Sequence, residues 1–148
     1  MPCRLLSTLL LAFAVAGSLA SAATAQEVVF LAFGDSITEG YGDTSSLGGG
    51  YPRRLERWLN QQGYDSVVES HGVGGETTSS GLSRIDSVLA GGGDYLLLME
   101  GTNDISRRSG IETIAFNLRE MAERAEALDI IVVHGTVIPR IPTAPVDS

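Results

Sequence analysis

The amino-acid sequence predicts an α/β fold, a parallel sheet with helices on both faces. Two patterns carry that expectation. Short apolar runs with strand character, Val28–Phe33, Ser66–Glu69, Asp94–Met99 and one beginning at Asp129, alternate with longer stretches whose apolar residues recur three and four apart. The order β-α-β-α-β-α-β puts a helix between successive strands, which is how parallel strands are joined. Three of the four strands also run into small polar residues: Gly34-Asp35-Ser36, His71-Gly72-Val73-Gly74-Gly75-Glu76, and Glu100-Gly101-Thr102-Asn103-Asp104. In a parallel sheet those ends share one edge, the edge at which open α/β sheets bind ligands.

Residues 1–25 stand apart from this pattern. Arg4 precedes an almost wholly apolar or small run, Leu5 to Ala20, and Ala23-Thr24-Ala25 offers small residues before Gln26. This is the layout of a cleavable export signal, and the run is short for a membrane span of about 20 residues. The protein is therefore expected to be secreted or periplasmic, without a stable membrane anchor once residues 1–25 are removed. Cys3, the single cysteine, lies in that segment, so disulfides are not expected in residues 26–148. The formal charge of −8, with no lysine, disfavours nucleic acid as a partner, because phosphate binding needs a basic face.

Each element has a local reason. Val28–Phe33 is an unbroken apolar run that stops at Gly34. A Gly-, Ser- and Thr-rich loop spans 38–50, and Pro52 opens a helix to Gln62, with Leu55, Trp58 and Leu59 as its apolar stripe. Ser66–Glu69 is the second strand. Thr77 or Thr78 caps the next helix, on which Leu82, Ile85, Val88 and Leu89 fall at helical spacing. Gly91-Gly92-Gly93 breaks it before Asp94–Met99, an apolar strand expected to be buried on both faces. Ile111–Leu128 is the longest helix, with Ile114, Leu118, Met121, Ala122 and Ala125 inward and the pairs Arg119/Glu123 and Glu120/Arg124 on its wet side. The fourth strand runs from Asp129 to about Val137, and the Pro-rich tail 138–145 suits neither helix nor strand.

The strand ends suggest chemistry. Ser36 presents a hydroxyl at the sheet edge and is the candidate nucleophile, which needs a base and preorganised donors for an oxyanion. A Gly-rich turn lets backbone approach a ligand, and an Asn amide carries two N–H donors without a charge. Taken alone, each cluster also reads as a turn or helix cap, with Asp35 and Asp104 as its structural members.

Together, Gly34-Asp35-Ser36-Ile37, Val73-Gly74-Gly75-Glu76-Thr77-Thr78 and Gly101-Thr102-Asn103-Asp104 resemble, in order and spacing, the first three sequence blocks of the SGNH hydrolase (GDSL lipase/esterase) family. The resemblance implies a flavodoxin-like three-layer α/β/α sandwich, no metal and no cofactor. It implies Ser36 as nucleophile and an oxyanion hole from the Ser36 N–H, the Gly75 N–H and the Asn103 side chain. The substrate would be a carboxylic ester of a small molecule, a polysaccharide or a lipid. The family's fourth block, Asp-x-x-His, has no counterpart in these 148 residues. Residues 26–148 are accordingly expected to be the N-terminal portion of the domain, truncated after the fourth strand.

Two histidines could be mistaken for the missing base. His134 lies within the fourth apolar strand and is expected to be buried against a helix layer. His71 ends the second strand, close to the site but on the wrong element for the family's base. The rival to an esterase is a non-catalytic relative that binds carbohydrate or cell envelope in the same cleft, or an inactive fragment.

Overall fold

The computed structural model describes residues 26–136; the expected export signal and the tail beyond 136 lie outside them. The element order is β1 (Val28–Gly34), α1 (Ser36–Glu39), α2 (Gly50–Gln61), β2 (Ser66–Gly72), α3 (Thr78–Leu89), β3 (Tyr95–Met99), α4 (Thr102–Ser106), α5 (Ile111–Glu126) and β4 (Ile131–His134). The strands form one parallel sheet in the order β2-β1-β3-β4. The α/β class, the parallel sheet and the helices on both faces are as the sequence predicts. Among the described residues no helix is long and apolar enough to cross a membrane.

Strand parity sorts the core. Leu31 and Phe33 of β1 and Leu96 and Leu98 of β3 pack with Ile85 and Leu89 of α3, Met121 and Ala125 of α5, and Ile130. Burying each of the larger side chains stabilises the fold by about 1.5–3 kcal/mol. The opposite face carries α1 and α2, which lie over β1 and β2. Over β3 and β4 that face is thinly covered among the described residues, so Tyr95, Leu97 and Met99 stay half-exposed. This corrects the expectation that β3 is buried on both faces.

Two further expectations change. Trp58 is 55% exposed, because α2 turns Pro52, Leu55, Glu56 and Leu59 toward the sheet. The Glu56 carboxylate accepts the Val68 N–H at 2.9 Å, which draws a charged residue inward in place of the tryptophan. His134 is exposed: in register with Leu98 it belongs to the face that carries α3 and α5, but it ends β4, the outermost strand among the described residues. Of the two expected ion pairs on α5, Arg124 reaches Glu120 only at 4.0 Å and lies closer to Asp86 of α3, at 2.9 Å.

The polar edge is built by close packing. A methyl group on Gly34 would lie 2.3 Å from Thr38 Oγ1 and 2.4 Å from the Met99 carbonyl oxygen; one on Gly72 would lie 2.0 Å from the Glu39 nitrogen. Only glycine lets α1 sit this tightly between the ends of β1, β2 and β3.

Candidate active site

Asp35 and Ser36 form the junction between β1 and α1. Asp35 is 1% exposed and is the N-cap, its Oδ1 accepting the Ile37 N–H at 2.9 Å. Ser36 is the first helical residue and half-buried. Among the described residues its hydroxyl has no side-chain hydrogen bond, and its N–H donates to no protein acceptor.

The second strand end is a tight turn, Val73 to Glu76, closed by the Glu76 N–H on the Val73 carbonyl at 3.2 Å. Gly75 stands at its third position with φ +75°, the left-handed region that glycine enters without strain. Its carbonyl accepts Arg107 at 2.9 Å, which pins this exposed peptide from outside. Within the described residues the Gly75 N–H, like that of Ser36, finds no protein acceptor.

Asn103, half-buried at the start of α4, joins the other two ends. Its Nδ2 donates to the Glu76 carbonyl at 2.7 Å and stands 3.4 Å from Asp35 Oδ2. One N–H is therefore firmly held by the residue after Gly75. The other makes only a long contact to the residue before Ser36, near the outer limit of a hydrogen bond. Asp104, one residue on, is 1% exposed and serves a different end: it accepts the Thr78 N–H at 2.8 Å and the Thr78 hydroxyl at 2.7 Å, so it caps α3. Asn117 of α5 donates to Thr78 Oγ1 at 3.0 Å and completes this buried network.

Beneath the edge lies a buried charged group. Glu76 accepts Arg84 Nε at 2.7 Å, and Arg84 also reaches the His71 carbonyl at 2.8 Å while its guanidinium stands 4.0 Å over the Phe33 ring. Glu100 is 2% exposed, and neither of its carboxyl oxygens has a hydrogen-bond partner among the described residues. Burial, reinforced by the facing Glu76 and by Asp35, pushes the Glu100 carboxyl up to about 9, although Arg84 pulls the other way.

The 40–50 loop is organised by Asp43, which takes Arg54 at 2.7 Å and the N–H groups of Ser45 and Gly50. The bonds from Arg54, foremost, and Ser45 hold the Asp43 carboxyl well below the usual carboxylate range. The loop, with Ile37, Tyr51 and Arg54, borders a cavity of about 290 Å³ next to the α1 helix. Burial raises the Tyr51 hydroxyl. Neither described histidine is hydrogen bonded to Ser36: His71 Nε2 pairs with Glu69 at 3.2 Å. Among the described residues no cluster of three or more His, Cys, Asp or Glu could hold a metal ion.

Residues 32–148 match the model of the GDSL-like lipase/acylhydrolase family. The chain belongs to that family. It is 35% identical over 99 residues to Esterase TesA of Pseudomonas aeruginosa, a match spanning 66% of this chain and 48% of that protein. Among solved structures it is similar to AlinE4, described as an SGNH-hydrolase family esterase, with 31% identity, a TM-score of 0.68, and coverage of 75% of this chain and 59% of the other. It is also similar to a crystal structure of TesA, at 30% identity and a TM-score of 0.69, over 75% and 62% of the two chains. The chain thus spans about half the length of the curated relative it matches.

In this GDSL-like chain, the strand ends singled out in the sequence do meet. What the sequence did not expose is the layer that holds them: Glu76, Arg84, Glu100, Arg107 and Asn117. One of these carried a signal. Glu100 directly follows the apolar run Tyr95–Met99, and a carboxylate at the end of a buried strand needs a reason.

Proposed function

We propose that the protein is an exported serine esterase that hydrolyses a carboxylic ester through an acyl-enzyme at Ser36. The observation that carries this reading is the position of the Asn103 amide, 2.7 Å from the Glu76 carbonyl and 3.4 Å from Asp35, between the Gly75 turn and the Ser36 junction. Two N–H groups without acceptors among the described residues, on Ser36 and Gly75, belong to the same edge.

The Ser36 hydroxyl attacks the acyl carbon and gives its proton to a general base. The carbonyl oxygen becomes an oxyanion, held by the Ser36 N–H, the Gly75 N–H and the second, loosely held N–H of Asn103. Collapse expels the alcohol and leaves the acyl-serine, which water hydrolyses by the same route. The cavity beside α1, bordered by Ile37, Tyr41 and Tyr51, suits a small or medium acyl group. Esters of small molecules, polysaccharides and lipids all share the reacting group.

A second reading has its own observation. Neither described histidine reaches Ser36, and a serine without its base is a weak nucleophile, so a cleft that binds envelope carbohydrate without turnover is the rival. A fluorophosphonate probe separates the two. The naturally produced protein is expected to take up one phosphonyl group, and Ser36→Ala none. A folded natural protein that resists the probe would overturn the esterase.

A further inference from the structure

Among the described residues, Glu100 is the only carboxylate with both oxygens buried and unpartnered. It follows β3, is 2% exposed, and has two carboxyl oxygens without a hydrogen-bond partner among the described residues. Buried polar atoms are rarely left so, and each exception calls for a physical account. An ionised carboxylate can only accept hydrogen bonds, and among the described residues no donor is directed at this one. A protonated carboxyl has a hydrogen to give, and the group facing it is the carboxylate of Glu76.

The charged groups around it decide which partner carries the proton. Glu76, 7% exposed, is held by the Arg84 fork, which fits an ionised carboxylate. Asp35, after β1, already accepts the Ile37 N–H as an N-cap. Asp104, from α4, is engaged by Thr78. Arg84, from α3, is the one cation among these facing groups, and it is committed to Glu76 and to the His71 carbonyl. A second ionised carboxylate at Glu100 would stand against Glu76 and Asp35 in a buried site, with no donor of its own among the described residues. The proton therefore belongs to Glu100.

Resting on the esterase reading above, we propose that Glu100 is a positioning residue for the oxyanion hole: as a neutral acid it donates a hydrogen bond to Glu76. Glu76 is the residue that follows Gly75, and its carbonyl holds the Asn103 amide. Fixing Glu76 from below fixes two of the three expected oxyanion donors at once, while Arg107 pins the Gly75 carbonyl from outside. Loss of the Glu100 proton at alkaline pH sets two carboxylates against each other under the turn and loosens both donors. Preorganised donors lose their advantage when they must be reordered during the reaction.

The test has one readout independent of catalysis. With carboxyl-¹³C glutamate in the naturally produced protein, infrared spectra at pH 7 are expected to show a protonated-acid band that is missing from Glu100→Gln. In Glu76→Gln the band is expected to vanish at a lower pH than in the wild type, because the facing charge is gone. The second readout is the rate of phosphonylation of Ser36 against pH. Glu100→Gln, whose amide can donate the same hydrogen bond, is expected to stay within about threefold of wild type at pH 7 and to keep its rate as pH passes 9, where the wild type declines. Glu100→Ala is expected to lose tenfold or more at pH 7, in line with mispositioned donors. A wild-type spectrum without the band, or superimposable alkaline limbs for wild type and Glu100→Gln, would overturn the proposal. If Ser36 never reacts at any pH, the esterase reading fails, and the infrared band still decides whether Glu100 holds the proton.

Discussion

Asn103 and Asp104 are neighbours in sequence and both polar, yet the structure gives them different work. Asn103 has one N–H fixed on Glu76 and the other nearly free, so its value lies in the charge it can meet. In the naturally produced protein Asn103→Ala is expected to lower kcat by about 10²–10³, with KM little changed, because the donor acts on the oxyanion and not on the ground-state ester. Asp104 faces inward to the Thr78 N–H and hydroxyl. Asp104→Ala strips a charged cap from α3 and leaves buried donors without an acceptor, so a loss of about 2–4 kcal/mol is expected in urea unfolding. A stability loss for Asn103→Ala as large as that for Asp104→Ala would mean that the two roles are misassigned. At this scale the sequence was partly legible. Ser36, Gly75 and Asn103 announce themselves as small or polar residues beyond the ends of apolar strands, and Glu100 is marked by the apolar run before it, whereas Glu76 looks like an ordinary surface acid until burial shows otherwise.

The elements explain which expectations held. Long periodic segments such as α5 (Ile111–Glu126) appear where their apolar spacing puts them, with Ile114, Met121, Ala122 and Ala125 buried. The helices α1 and α4 have four and five residues, too few for a 3.6-residue period to register, and the sequence offers there only a turn or a helix cap. These two short helices carry Ser36 and Asn103, so the site sits on the elements that periodicity cannot see. Their placement depends on glycine. A methyl group on Gly72 would strike the backbone of Thr38 and Glu39, atoms that no rotamer change can move aside. Gly72→Ala is therefore expected to shift α1 away from β2 and to slow phosphonylation of Ser36 by tenfold or more, since small displacements of reacting groups cost orders of magnitude. The circular dichroism of the helices should change little. Unaltered labelling with a folded Gly72→Ala protein would show that α1 does not depend on this contact.

For the molecule as a whole, the sheet order β2-β1-β3-β4 was not written in any local pattern, and neither was the uneven covering of its two faces. Burial follows from that topology, which is why Trp58 and His134 lie outside although their neighbours are apolar. The same topology gathers acids under one edge, and this gives the fold a pH dependence that can be signed. Glu100, near 4.5 in an ordinary setting, is pushed up to about 9 in the folded protein. Between those values the unfolded chain has lost the proton and the folded chain keeps it. Stability from this group is thus fully present below about 4.5 and declines as pH rises toward 9, before levelling. Asp43 has the opposite sign: its lowered carboxyl favours the fold above its ordinary value of 3.8 and loses that contribution as pH falls. Thermal melts of wild type and Glu100→Gln from pH 5 to 10 isolate the first effect, since every other group is common to both. The variant is expected to gain on the wild type steadily up to about pH 9 and to run parallel above it; melting curves that stay parallel across the whole range would mean that Glu100 ionises in the folded protein as it does in the unfolded one.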